Sequence, residues 1–305
     1  MAPISRRQFV TTMAAAAPAV IIARQRPARF PLSFSTLGCP KWPWRRILDQ
    51  AARLGYSGIE IRGIEGEMDL TRRPEFQGTR LTGTLRDLDA LELRISDLGA
   101  SARMHEADPA ARAAQLDEGK RFVDLAHQLK TPYVRVFGDR IPAGEQKEVT
   151  VPRVIDGLRV LGEYAKTSDV GIIIESHGDF TDSPTLLEIL KQTAMPNVAL
   201  LWDAHHTFVS AKEDPAYTHK MLGSYVRHTH LKDSKPADKG VQYVLTGSGT
   251  VPVRETVSVL VRSGYKGFYG FEWEKAWHPE IEDPEVAFPH FVQAMKGYLA
   301  EAGWK

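Results

Sequence analysis

Short β-rich runs alternate with amphipathic stretches eight times along this chain, and nothing else in it restricts the fold as strongly. The runs fall at residues 32–36, 58–62, 94–99, 133–137, 170–175, 198–202, 226–231 and 268–272. Apolar residues recur at helical spacing over 44–54, 81–91, 109–129, 151–167, 183–192, 215–222, 252–262 and 284–300. Several of these stretches carry proline in the first turn, as Pro109, Pro215 and Pro284 do, where the missing N–H would have had no partner anyway. A helix between two strands returns the chain to the same end of the sheet, so repeated units predict parallel strands. Residues 31–305 shared among eight units give about 34 each, the size of one strand–helix module. The expected fold is α/β, a single-domain (β/α)8 barrel over residues 30–305. An open doubly wound sheet would usually show a glycine-rich turn after its first strand, and Gly38-Cys39-Pro40-Lys41 is not one. No linker, repeat or low-complexity block divides the body.

The first 29 residues do not fit that pattern. Ser5-Arg6-Arg7-Gln8-Phe9-Val10 precedes an Ala-rich apolar run over 11–23, the order of a signal peptide of the twin-arginine type. The reading predicts export of a folded chain to the periplasm or beyond. Five arginines and no acid lie in residues 1–30, so removing them from the formal net charge of +1 leaves a body at −4. Such a body lacks the basic stripe that a phosphate backbone requires, which argues against nucleic acid as a partner. No run of 18 apolar residues is present, so no membrane-spanning helix is expected. The single cysteine, Cys39, excludes an internal disulfide and a Cys-rich zinc site and reads as a buried or half-buried thiol. A homo-oligomer and a monomer are both compatible with this sequence.

In a barrel of this kind chemistry gathers at the C-terminal ends of the strands. Four consecutive ends carry acids or histidines directly after apolar residues: Ile174-Glu175-Ser176-His177, Trp202-Asp203-Ala204-His205-His206, His228-Thr229-His230-Leu231-Lys232-Asp233 and Phe271-Glu272-Trp273-Glu274. Burying one unpaired charge costs several kcal/mol, so four together imply a shared compensating group. Glu175, Asp203, His230 and Glu272 form a set of three carboxylates and one imidazole. That set suits one divalent ion, Mn, Mg, Co or Zn, and disfavours copper or an iron–sulfur cluster. Arg135 on the fourth run, and Glu60 with Arg62 on the second, add charge to the same interior. His105, His127, His219, His278 and His290 read as ordinary surface or core histidines, and Gly247-Ser248-Gly249 as an ordinary turn. Of the aromatics near the mouth, Trp42, Trp44, Trp273 and Trp277, at least two are expected to pack rather than to meet a ligand.

The ordered set of motifs resembles the xylose isomerase-like TIM barrel superfamily, and within it the sugar phosphate isomerases/epimerases, which share their fold with endonuclease IV. The resemblance rests on Ser35-Thr36-Leu37-Gly38-Cys39-Pro40 with Trp44, on Leu54-Gly55-Tyr56-Ser57-Gly58-Ile59-Glu60, and on Ile174-Glu175-Ser176-His177-Gly178-Asp179. It continues through Asp203-Ala204-His205-His206, His228-Thr229-His230-Leu231-Lys232-Asp233 and Phe271-Glu272-Trp273-Glu274-Lys275, spanning residues 32–300. It implies metal ligation by Glu175, Asp203, His230 and Glu272, an acid–base pair made of Glu175 and Glu272, and a substrate-contacting role for His206. One departure is visible: ketose epimerases carry a further glutamate six residues past the first ligand, where this chain has Thr181. Endonuclease IV-type chemistry would need extra histidines and a carboxylate for three zinc ions.

The expected reaction is metal-assisted proton abstraction beside a carbonyl, through an enediolate, by a sugar isomerase or epimerase. The partner is a small carbohydrate, with His177, His206, Lys232, Arg135, Glu60 and Glu274 as substrate-binding candidates. Glu274, His177 and Lys232 are also alternative bases, because ligation lowers a carboxylate's basicity. Export favours an unphosphorylated sugar or keto-sugar. Two alternatives stay open: a metal-dependent lyase or dehydratase acting by β-elimination, for example on a 3-keto-glycoside, and a barrel that binds sugar without turnover.

Overall fold

The structure, a computed structural model, describes residues 29–305. The twin-arginine motif and the apolar run after it lie outside the described residues. Arg29, the last residue of the expected signal, contacts the body: its Nη1 donates to the Leu91 carbonyl at 2.8 Å.

In chain order the elements are β1 (Leu32–Ser35), α1 (Trp44–Leu54), β2 (Gly58–Ile61), α2 (Gly78–Ala90), β3 (Arg94–Arg103), α3 (Pro109–Gln128), β4 (Tyr133–Phe137), α4 (Lys147–Ala165) and β5 (Gly171–Glu175). There follow α5 (Ser183–Thr193), β6 (Val198–Asp203), α6 (Ala204–Val209), α7 (Pro215–Leu222), β7 (Val226–Leu231), β8 (Asp233–Pro236), β9 (Val241–Val244), α8 (Val253–Arg262), β10 (Tyr269–Phe271) and α9 (Pro284–Glu301). Helix starts follow local chemistry. Asp108, Asp182 and Asp214 each cap a helix by accepting a backbone N–H, with proline in the turn that follows.

Eight parallel strands close in the order β1-β10-β7-β6-β5-β4-β3-β2, a single-domain (β/α)8 barrel. Closure is made by Leu32, Ser33 and Phe34 pairing with Tyr269, Gly270 and Phe271. Three departures from the sequence expectation occur. β3 runs four residues past Gly99, because Ala100, Ser101 and Ala102 continue it with side chains too small to leave a strand pattern. Residues after β7 form an antiparallel hairpin, β8 with β9, in place of an irregular loop. His205 and His206 lie in the short helix α6, which Asp203 caps through His206 N.

The main apolar core lies between strands and helices, where Ile47, Phe122, Leu158, Ile189, Phe288 and Phe291 are fully or almost fully buried. Cys39 joins it, as do Trp42, Trp44 and Trp273, whereas Trp277 is 55% exposed. Inside the barrel the packing is different. Ile173, Ala199 and Leu201 form a small separate apolar cluster with Tyr133 against it. The rest of the interior is built from Glu60, Asp97, Arg135, Glu175, Asp203, His228 and His230, none more than 1% exposed. Branched aliphatic layers normally fill this space.

Candidate active site

Three consecutive strands and the residue just past β10 bring their donors together. Glu175 ends β5, Asp203 ends β6, His230 lies near the end of β7 and Glu272 follows β10. One ligand atom from each lies within 4.8 Å of all the others. His230 Nδ1 stands 3.3 Å from Glu272 Oε1, 3.5 Å from Glu175 Oε1 and 3.8 Å from Asp203 Oδ2. Asp203 uses Oδ1 to cap α6 and turns Oδ2 to Lys232 Nζ at 2.7 Å. Lys232 also donates to Glu272 and pairs with Glu274 Oε1 at 2.8 Å, so one buried ammonium serves three carboxylates.

The opposite wall of the barrel supplies a second set. His230 Nε2 meets Glu60 Oε2 at 2.5 Å across the interior. The Glu60 carboxylate holds a proton on Nε2; burial opposes a second proton, but Glu272, Glu60 and Glu175 outweigh it and keep the ring well above the usual imidazole range, so Nδ1 faces the other three groups with a proton that a bound ion would replace. Beside this pair, His228 Nε2 lies 3.2 Å from Asp97 Oδ1 and 3.5 Å from Glu60 Oε2. Glu60, a substrate-binding candidate by sequence, is thus buried beneath His230. Asp97 and the role of His228 were missed by sequence reasoning, although an acid inside the apolar run Ile95-Ser96-Asp97-Leu98 was a usable signal.

A cavity of about 130 Å³ adjoins the cluster, lined by Glu175 and Glu272 with Arg62, Arg135, His177, His206, Glu274 and Trp277 among others. His177 Nδ1 stands 3.5 Å from Asp139 Oδ1, and its ring lies against Phe137 and His206. Arg135 Nε lies 3.1 Å from Glu175 Oε2, and its guanidinium sits 4.0 Å over the Phe137 ring. The structure brings five of the six substrate-binding candidates to the cavity or, for Lys232, to its acidic wall. Cavities of about 620 and 930 Å³ open at the opposite, N-terminal end of the strands. None of the groups able to hold a metal among the described residues lies there.

The three carboxyls of the set are not answered equally. Burial opposes ionisation of Glu272, but His230 and Lys232 outweigh it and hold that carboxyl well below its usual range. Burial likewise opposes the charge on Glu175, which Arg135 and His230 hold down. Asp203 is left over. Burial, resisted by Lys232 but reinforced by Glu272 and Glu175, pushes it up to about 7. Buried His230 Nδ1 has no hydrogen-bond partner, whereas Glu175 Oε2 faces Arg135 Nε and leaves Oε1 toward the imidazole. Three carboxylates and one imidazole offering donor atoms within 4.8 Å of one another, with Nδ1 of that imidazole unpartnered, fit a divalent ion held by oxygen and nitrogen ligands.

The loop above β7 is held by one side chain. Asp233 accepts from the backbone N–H of Ser234, Gly247, Gly249 and Val251 at 2.8–3.1 Å. Gly247-Ser248-Gly249, read from sequence as a plain turn, is therefore wrapped round a buried carboxylate. Gly249 has no room for a side chain, since a Cβ there would stand 2.3 Å from Asp233 Oδ1. Asp233→Ala should destabilise the protein by about 3 kcal/mol, because it strands the buried N–H groups of Ser234 and Val251 and releases those of Gly247 and Gly249. Urea unfolding measures it, and a loss below about 1 kcal/mol would contradict the assignment.

The sequence model of a family described as xylose isomerase-like TIM barrel matches residues 48–295. A fructoselysine 3-epimerase of Shigella flexneri is 25% identical over 247 residues, covering 76% of this chain and 86% of that protein. Inosose dehydratase 2 of Bacillus cereus is 29% identical over 168 residues, covering 50% of this chain and 54% of its own. Among solved structures, a probable 3-DHS dehydratase of Bacillus anthracis superposes with a TM-score of 0.72 at 17% identity, over 88% of this chain and 99% of that one. At that identity the likeness concerns the fold.

Proposed function

The chain belongs to the xylose isomerase-like TIM barrel family, and from that premise we propose a divalent-metal-dependent enzyme that abstracts the proton beside a carbonyl of an unphosphorylated sugar or keto-sugar. The observation that carries this reading is the convergence of Glu175, Asp203, His230 and Glu272, with the unpartnered His230 Nδ1 among them. A divalent ion held by these four residues would supply Lewis acidity, polarising a carbonyl oxygen and offsetting the negative charge that builds as the neighbouring proton leaves.

The chain's own groups do the rest. Glu60 fixes the His230 tautomer. Lys232 keeps Asp203 and Glu272 from driving each other neutral. Glu175 and Glu272 approach the cavity from different strands, so one takes the proton and the other returns it, to the same carbon for epimerisation or to its neighbour for isomerisation. Burial, and then Lys232, holds His206 well below the usual imidazole range, so it stays neutral and can both donate to and accept from a sugar hydroxyl. Burial works against a proton on His177, but the Asp139 carboxylate outweighs it, so this ring is suited to donate.

A second reading is elimination: the C–H pair becomes a double bond and the β-hydroxyl departs as water with a proton from the cavity wall. Two observations favour it, Thr181 where the resembled ketose epimerases carry glutamate, and the likeness to an inosose dehydratase. Incubation of the metal-loaded protein in D2O with unphosphorylated ketoses and 3-keto-glycosides tests both. Deuterium should enter beside the carbonyl, and the product, saturated or unsaturated, separates epimerase or isomerase from dehydratase. No exchange and no product across that panel would reject both.

A further inference from the structure

The cavity holds a positive charge that the proposed proton abstraction does not use. Arg62, the residue after β2, is 8% exposed and lines the cavity. Its guanidinium donates to the Gly99 carbonyl at 3.3 Å and to Ser101 Oγ at 2.8 Å, both neutral acceptors. Among the described residues no carboxylate lies within ion-pair distance of it. Glu118, Glu175 and Glu60 act on it only from further away, while burial and the neighbouring Arg135 pull its pKa down to about 9.

Arg62 and Arg135 share one bed. Gly99 of β3 lies between their strands, and a Cβ there would stand 2.7 Å from Arg135 Nη2 and 2.7 Å from Arg62 Cδ. The absent side chain lets two like charges lie side by side at the cavity wall. Arg135 has Glu175 Oε2 beside its Nε, but its one aligned hydrogen bond is from Nη1 to the Ala100 carbonyl. A guanidinium has five N–H donors, so most of the donors in this pair are unspent. Keeping an unpaired cation nine-tenths buried beside another is costly unless a ligand answers it.

We propose that Arg62, with Arg135, forms an anion-binding subsite beside the proton-abstraction centre, and that the substrate is a sugar acid whose carboxylate it receives. This rests on the function proposed above and narrows its substrate class. A carboxylate is preferred to a phosphate on charge and shape. One cation, Arg62, lacks a partner, which matches a single negative charge. A phosphate of about −1.5 to −2 would bring surplus charge next to Glu175, Glu272 and Glu274. Two coplanar oxygens also match the guanidinium fork.

Calorimetric titration of the metal-loaded chain with D-fructuronate, D-fructose and D-fructose 6-phosphate tests it. The acid should bind at least about tenfold more tightly than the neutral ketose. Arg62→Met should bring the two within about threefold, and Arg62→Lys, which keeps the charge without the fork, should fall between. Equal wild-type affinities, a preference for the phosphate, no binding of the acid, or an undiminished preference in Arg62→Met would each overturn the subsite. If Arg62→Met fails to fold, the wild-type ranking and Arg62→Lys decide. Exchange of deuterium into fructose without any preference for the acid sinks the subsite alone. A preference for the acid without exchange into any sugar sinks the catalytic reading alone.

Discussion

Glu272→Gln and Glu175→Gln are each expected to lose about 10²–10⁴ in turnover with the fold intact. The amide keeps the size of the side chain and one acceptor oxygen, so Lys232 Nζ and Arg135 Nε still face an oxygen at these positions. What disappears is the charge and the ability to take a proton. Each glutamate is proposed to act twice, in the four-donor set and as half of the acid–base pair, so the loss should appear in kcat and also as weaker divalent-ion binding by calorimetry. Melting temperature is the control, since the substitution leaves no cavity. Wild-type turnover in either variant would remove that residue from the chemistry, and normal metal affinity in both would remove the shared ion.

Lys232→Met should cost about 3–5 kcal/mol of stability in the presence of a chelator. The ammonium is buried among Asp203, Glu272 and Glu274, and Met has nearly its shape without its charge, leaving three carboxylates facing one another. Burial disfavours its charge, but Asp203, Glu272 and Glu274 outweigh burial and hold Lys232 well above the usual lysine pKa of 10.5. A cation whose folded pKa is raised contributes its full stabilisation below 10.5 and loses it only as the pH rises through the folded value, so measurement at pH 7–8 captures the whole effect. Saturating Mn²⁺ or Mg²⁺ should recover part of the loss, because Asp203 and Glu272 also belong to the four-donor set. A loss below about 1 kcal/mol, or one equal with chelator and with metal, would mean that charge balance does not govern this site.

Much of the barrel was legible because its signals are local. Periods of two and 3.6, proline after a capping aspartate, and module length all act within a few tens of residues, and they gave seven of the eight barrel strands to within one residue at each end. The hairpin β8–β9 was not legible: Asp233-Ser234-Lys235-Pro236 has no strand pattern, and it is ordered by Asp233 collecting N–H groups from residues up to Val251.

The same division holds at the site. Glu175, Asp203, His230 and Glu272 could be grouped from sequence because each follows apolar strand residues, and a βα module puts every such position at one rim. What the chain alone could not tell is which groups meet across the barrel. Glu60 reaches His230 over a separation of 170 residues only because β1 closes onto β10, and Arg62 and Arg135 come to lie together over Gly99 because β3 pairs with β2 on one side and β4 on the other. Strand order is a property of closure rather than of any local pattern. Sequence therefore determined which charges would crowd the rim, and tertiary structure decided how each is answered: His230 by Glu60, three carboxylates by Lys232, and Arg62 by no carboxylate among the described residues.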